Sequence, residues 1–348
     1  MDGSVRIGIH TSVAGSYLHA LESAQKLGCN ALQIFSASPR MWQGVSARIP
    51  DVDAQAFRAR RDELRLGPLV IHANYLINLA STERMLQTRS IQAFHDEIVR
   101  AVALGADFLV VHPGARGESR TEQAISTIVE SVKQASKRAP MDGLRILIVL
   151  AGLRNLPVGA CLDTAHLFAA GYDIKSEGGL ASTIGQIDGA IGLENVPVIH
   201  VNDSKIPLGG RVDRHEHIGK GKIGAEAFAR ILRHPRFGSV APEGLTGRAF
   251  VAETPIDDPG DDRRNVAALW ELAGLKEQAP QAEKGFSMLT AALQKKLSIH
   301  RKAEKKRNAT AETPRSARGG RWMPRSAEKK TRTKKDGARK SSAKKKRG

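Results

Sequence analysis

Cysteine is scarce in this 348-residue chain, with Cys29 and Cys161 the only two. A pair cannot make a disulfide framework, and so low a count suits a reducing compartment. Long apolar runs are missing as well, and no stretch is long enough to span a bilayer as a helix. The N-terminus, MDGSVRIGIH, lacks the basic-then-apolar pattern of a signal peptide. These absences predict a soluble intracellular protein with no membrane partner. Acidic residues are absent from one place in particular, since no Asp or Glu stands between Asp142 and Asp163.

Positive charge is abundant but confined. The formal net charge is +18, and from Lys295 onward there are 22 Lys and Arg against 4 Asp and Glu, which leaves 32 against 32 in the rest. A terminal segment rich in Lys, Arg, Ser, Ala and Gly cannot build a core and is predicted to be disordered. The expected division is a folded domain over 1–276 and a basic tail over 277–348.

Between Arg6 and Gly274 short apolar runs alternate with amphipathic stretches, the pattern of parallel strands joined by crossover helices. The strand candidates are RIGIHTS, ALQIFSAS, LVIHAN, DFLVVHPG, RILIVL, VGACLDTAH, VPVIHVND and AFVAETP. Eight strands over about 270 residues fit an α/β (β/α)₈ TIM barrel, for which about 250 residues are typical, with a doubly wound open sheet as the alternative. Helical stretches such as SYLHALESAQKLG and SIQAFHDEIVRAVALG carry apolar residues at intervals of three and four, as a layer packed on a sheet requires. One connection is too short. Only the seven residues AGLRNLP separate Leu150 from Val158, whereas a parallel crossover needs roughly a dozen or more. The fifth βα unit is therefore expected to be shortened.

The densest run of candidate metal ligands is HVNDSKIPLGGRVDRH, His200 to His215. Asp213 and His215 are two apart, so in an extended loop both side chains leave on one side and can grip one ion. The last residues of the strand candidates add His72, His112, Asp163, His166, His200 and Glu253. In a barrel these ends gather on one face. A single buried His is more often a satisfied core residue than a ligand, but recurrence at equivalent strand ends reverses that weighting. Histidines and carboxylates without thiolates suit zinc, with manganese or iron as alternatives. Clustered metals point to phosphoester hydrolysis.

At the level of whole motifs the chain resembles the endonuclease IV family of AP endonucleases. The segments GIHTSVAGS, HANYLINLAS, VHPGARG, CLDTAHLFAAGYD, HVNDSK, GGRVDRHEHIGKGKIG and AETP stand in family order. The resemblance implies a (β/α)₈ barrel with three zinc ions. It implies base-excision repair chemistry on double-stranded DNA, with hydrolysis of the phosphodiester 5′ to an abasic site to leave a 3′-hydroxyl. On this resemblance His166, Asp213 and His215 hold one zinc and Asp163, His200 and Glu253 a second. His72 and His112 belong to the third. Catalysis would be carried by the metal centre, above all by Asp163, His200 and Glu253. Arg40, Tyr75 and Leu76 match the residues that the family pushes into the duplex at the damaged nucleotide. Tyr75 and Leu76 have another reading, as core residues behind the third strand. His10 matches a position near the site and is given no ligand role. A monomer is expected, cytoplasmic or nucleoid-associated in a bacterial host.

The chain departs from this pattern mainly at its fifth strand. In the family that strand ends in a Glu that bridges two zincs, followed by a glycine-containing loop and a helix. Here the block is absent, so about two zincs are expected in place of three, because a site with only two protein ligands falls short of the usual three. A smaller departure is Ala73 after His72, where an acidic residue is common. Two alternatives stand beside the enzyme. One is a DNA-binding derivative that has lost catalysis, and the other is a sugar isomerase or epimerase on the same kind of barrel.

Overall fold

The structure is a computed structural model that describes residues 5–42, 48–137, 139, 141, 143–150, 159–237 and 248–276. The AGLRNLP link and the whole 277–348 tail lie outside the described residues. Eight short parallel strands form one sheet: β1 (Arg6–Ile9), β2 (Leu32–Phe35), β3 (Leu69–His72), β4 (Phe108–Val111), β5 (Arg145–Leu150), β6 (Gly159–Asp163), β7 (Val198–His200) and β10 (Ala249–Ala252). A separate antiparallel pair, β8 (Asp203–Ser204) and β9 (His215–Glu216), lies in the segment after β7. The helices are α1 (Tyr17–Lys26), α2 (Asp51–Glu63), α3 (Arg84–Ala103), α4 (Thr121–Ser136), α5 (Thr164–Ala170), α6 (Glu177–Ile191), α7 (Ala225–Arg233) and α8 (Asp261–Ala273). None of the described helices is long and apolar enough to cross a membrane.

The strand order is β1-β10-β7-β6-β5-β4-β3-β2, every ladder is parallel, and no switch point interrupts the order. That is the order of a barrel, and it sets aside the doubly wound alternative. At the seam, β1 meets β2 through a parallel bridge from His10 to Gln33 and through the Asn30 side chain. That amide accepts from Ile7 N at 2.7 Å and donates to Val5 O at 3.1 Å. Inside the barrel, Val70, Val110, Leu147, Val149, Cys161, Val198 and Val251 pack on one another. A larger core lies between the strands and the helices.

β5 is a full barrel strand, bonded to β4 and to β6 along its length. The shortage expected for the fifth unit therefore falls on its connection and spares the strand. The residues between β5 and β6 lie outside the described ones, and a cavity of about 840 Å³ opens beside the two strands, with Ile128 and Val132 of α4, Ile146 and Ile148 of β5 and Ile191 of α6 on its walls. Three helices, α5, α6 and α8, come from stretches that the pattern reading does not single out, and α5 takes in Thr164–His166, which that reading gave to the sixth strand. In α6 four glycines, Gly178, Gly179, Gly185 and Gly189, weaken the local propensity. The helix forms because Ser176 caps it, accepting from Gly179 N at 3.0 Å, and because Leu180, Ile184 and Ile187 are buried.

Candidate metal centre

The barrel register brings the strand-end residues to one face. Asp163 pairs with His200 across β6 and β7, His200 with Val251 of β10, and Glu253 follows two residues later. A cavity of about 630 Å³ lies over them, lined among others by His72, His112, His166, Asp213, His215 and Glu253. Five imidazoles form a chain along it. Ring centroids are 6.1 Å apart for His200 and His72, 5.3 Å for His72 and His112, 5.7 Å for His112 and His166, and 5.7 Å for His166 and His215.

Local structure explains why Asp163 and His166 act together. Asp163 is the N-cap of α5 and accepts from the His166 backbone N–H at 2.9 Å, the position three residues into a capped helix. Its other oxygen accepts from Asn202 Nδ2 at 2.8 Å. On the facing loop, His215 is aligned by pairing with Ser204 in the β8–β9 hairpin. The hairpin is held from below by the buried Asp203, whose carboxylate accepts from the backbone N–H groups of Gly221, Ile223 and Gly224. Asp213 then reaches both histidines, with one oxygen 3.1 Å from His166 Nε2 and the other 3.1 Å from His215 Nε2.

Hydrogen bonds on the far side of each ring leave the inner nitrogen free. His72 Nδ1 donates to Ala73 O at 2.7 Å, which turns Nε2 inward. His215 Nδ1 donates to Glu253 O at 3.2 Å, and His200 Nε2 donates to Gln33 Oε1 at 2.8 Å. A metal-binding imidazole needs this arrangement, its second nitrogen tied to an acceptor. His200 Nδ1 lies 3.1 Å from Glu253 Oε2, and His215 Nε2 has Asp213 at the distance given, yet both nitrogens are buried without a hydrogen bond. Buried polar atoms are almost always partnered. The lone pair of the neutral His200 ring, left over beside Glu253, is what a cation would complete. Two groups of three ligand atoms are close enough to share an ion among the described residues, Asp163, His166 and His215 in one and Asp163, His200 and Glu253 in the other.

The protonation states agree with that purpose. Burial pushes the His72 imidazole down to about 3, and it lowers His112 and His200 too, so all three are neutral lone-pair donors at neutral pH. For Glu253, burial works upward, but His200 and His72 outweigh it and hold the carboxyl well below its usual range. The His166 and His215 imidazoles, each 3.1 Å away, hold the Asp213 carboxyl well below its usual range.

β5 contributes no ligand. Its inward residues are Leu147 and Val149, and Val149 is level with Cys161, two rungs before Asp163. Ala151, two residues beyond Val149 in sequence, has no donor atom and lies outside the described residues. His72 and His112 therefore face each other with no carboxylate from this strand between them.

The residues matched to duplex insertion stand at the rim. Tyr75 is 58% exposed, its ring edge-on to Phe35 at 5.2 Å, so the reading of Tyr75 as a core side chain is wrong. Leu76 is half-buried and Arg40 exposed. The motif reading missed Gln33, which is fully buried and which, beyond accepting from His200, donates to Glu253 and to His10 Nδ1. It also missed Asn202, which ties Asp163 to the Glu253 backbone N–H. The available signal was a Gln inside the apolar run ALQIF, since a buried amide must have partners. His10, given no ligand role, also has its Nε2 buried without a hydrogen bond.

Comparison with known proteins places the chain. A family described as xylose isomerase-like TIM barrel matches residues 21–148 and 149–277, the two parts meeting inside β5. A probable endonuclease 4 of Solibacter usitatus is 44% identical over 299 residues, which take in 79% of this chain and 99% of that protein. That alignment is about two dozen positions longer than the share of the 348-residue chain it takes in, which accords with a missing block. A probable endonuclease 4 of Methanoculleus marisnigri is 36% identical, over 78% of this chain and 99% of that one. Among solved structures, endonuclease IV from Thermus thermophilus superposes with a TM-score of 0.65 at 34% identity, covering 77% of this chain and 99% of that chain.

Proposed function

The chain belongs to the endonuclease IV family, and from that premise we propose that it is a zinc-dependent AP endonuclease of base-excision repair. It hydrolyses the DNA phosphodiester 5′ to an abasic site and leaves a 3′-hydroxyl. The observation that carries this reading is the buried His200 Nδ1, without a hydrogen bond and 3.1 Å from Glu253, in a cluster whose Asp213 carboxylate is shared by His166 and His215 under a cavity.

Asp163, His200 and Glu253 would hold one zinc, and His166, Asp213 and His215 a second. Such ions supply a water of lowered pKa and a counter-charge for the leaving oxygen. The chain's own groups do the rest. Gln33 and Asn202 hold His200, Asp163 and Glu253 in place, and Tyr75, Leu76 and Arg40 fill the space vacated by the missing base. Extrusion of a nucleotide is least costly where stacking is already lost, so insertion itself favours abasic sites. His72 and His112 alone fall short of three ligands, so we read the third site as weakly filled and the purified protein as carrying about two zincs.

Cleavage of a duplex with one abasic site, with and without a chelator, tests the proposal. Metal-dependent incision 5′ to the site is the expected result. Tight binding of the abasic duplex by fully metal-loaded protein with no incision would replace the enzyme with a DNA-binding derivative, the reading that the ligand-free end of β5 favours.

A further inference from the structure

Three side chains matched to duplex insertion lie on two different loops, Arg40 after β2 and Tyr75 with Leu76 after β3. Nothing in the barrel requires those loops to move together. Asn74 joins them. It is 8% exposed, and its Nδ2 donates to Ser38 O at 3.1 Å and to Met41 O at 2.7 Å, so it holds the β2 loop on both sides of Arg40. Its Oδ1 accepts from Leu76 N at 2.7 Å, within its own loop. Two carbonyls on one side and an N–H on the other fix which end of the amide is which. A further bond runs from Tyr75 N to Pro39 O at 3.2 Å.

The joined loops also share a base. Glu97 of α3, 2% exposed, accepts from Ser36 Oγ at the end of β2, and Ser90 Oγ of α3 accepts from Asn78 N in the loop after β3 at 3.0 Å. Arg100, one turn along, lies 3.1 Å from Glu97 and donates to Ser36 Oγ at 2.8 Å. At the far end of the β2 loop, the Arg89 guanidinium of α3 sits 4.4 Å over the Trp42 ring. One helix therefore carries both loops, and Asn74 is the brace between them.

We propose that Asn74 is a positioning residue for damage recognition. It makes Arg40 and the Tyr75–Leu76 pair a single preorganised wedge, so that they enter the duplex in concert. This rests on the assignment of those three residues to duplex insertion. Preorganisation raises affinity by removing the cost of ordering two loops separately.

The discriminating variant is Asn74→Asp, which has the same shape. Its carboxylate can still accept from Leu76 N, but it turns the contacts with Ser38 O and Met41 O from attractive to repulsive. Asn74→Ala removes both sets. Equilibrium binding of the full zinc-loaded chain is measured on a duplex with one abasic analogue, blocked at the scissile phosphate, and on the intact duplex. Both variants should lose about tenfold in the ratio of the two affinities, the size expected for two lost hydrogen bonds. On cleavable substrate, KM should rise more than kcat falls, while zinc content stays near the parent's for Asn74→Asp. A double-mutant cycle of Arg40→Ala and Tyr75→Ala should show coupling in the parent and simple additivity in the Asn74→Asp background. If Asn74→Asp keeps the parent's affinity ratio and coupling, the brace is overturned while the wedge stands. If Arg40→Ala and Tyr75→Ala each leave the ratio unchanged in the parent, the wedge assignment falls and the brace with it.

Discussion

His215 carries a conflict that only a metal resolves. In the metal-free chain its ring is buried, which favours the neutral form, but Asp213 and Asp163 outweigh burial and push it up from 6.5 to about 9. A pKa raised by folding gives stability that is complete below the unfolded value of 6.5 and lost as pH rises through about 9. Zinc requires the neutral ring, so uptake has to displace that proton. Zinc affinity should therefore climb with pH across this window with release of protons, and the melting temperature of the apoprotein should fall across it. Metal titrations at several pH values check this, and an affinity flat over the window would remove His215 from the ligand set. His215→Ala should lower abasic-site cleavage by more than the roughly 10- to 100-fold that loss of an outer partner costs. Gln33→Ala is such an outer change, and zinc affinity should fall by roughly 10- to 100-fold, read by competition with a chelating dye. Of these residues, the strand-end ligands were legible in the sequence because their types recur at strand ends. Gln33 was not, since its role depends on β1, β2, β7 and β10 bringing His10, His200 and Glu253 around it.

At the scale of the element, β5 bears on the proposed number of metals. It pairs with β4 over Arg145–Ile148 and with β6 over Leu147–Leu150. Its inward residues are nevertheless apolar up to Val149, and the sequence offers no carboxylate before Asp163. Inserting a family strand-to-helix block with its terminal Glu between Val149 and Leu150 should raise zinc content toward three and cleavage with it. In a multimetal site one ion activates water while another stabilises the leaving oxygen, so turnover should gain more than DNA binding. Metal analysis and single-turnover kinetics of parent and graft provide the comparison. Three tightly held zincs in the parent, with no gain from the graft, would mean that another residue supplies the bridge. The sequence revealed the short link and the lack of any acid between Asp142 and Asp163. It did not reveal that β5 would still pair fully, because pairing depends on the apolar contacts of Leu147 and Val149 with the strands around them.

For the whole molecule, charge is the property that the barrel does not explain. The residues before Lys295 balance at 32 against 32, and the entire excess lies beyond. A segment so basic would contact phosphates without reading sequence. Each phosphate it neutralises on duplex DNA should add roughly 0.9 to the slope of log affinity against log salt. Truncation after Gln294 should flatten that slope and leave the cleaved position unchanged, because positioning belongs to the barrel face. Binding measured across a salt series tests this. An unaltered slope would separate the tail from DNA binding.

The alternation of apolar runs and amphipathic stretches determined eight parallel strands with crossover helices by itself, because periodicity and strand count are properties of the chain read in order, and the strand order then chose the barrel over the doubly wound sheet. The same reading supplied the ligand types and located the missing acid, since both are matters of which residues stand at strand ends. Only the tertiary structure decided which nitrogen of each histidine faces inward, because that depends on acceptors such as Ala73 O, Glu253 O and Gln33 Oε1. It also decided that Tyr75 lies at the rim and that Asn74 joins two loops. Both follow from the spacing of neighbouring strand ends around a closed sheet, a distance that sequence separation does not encode.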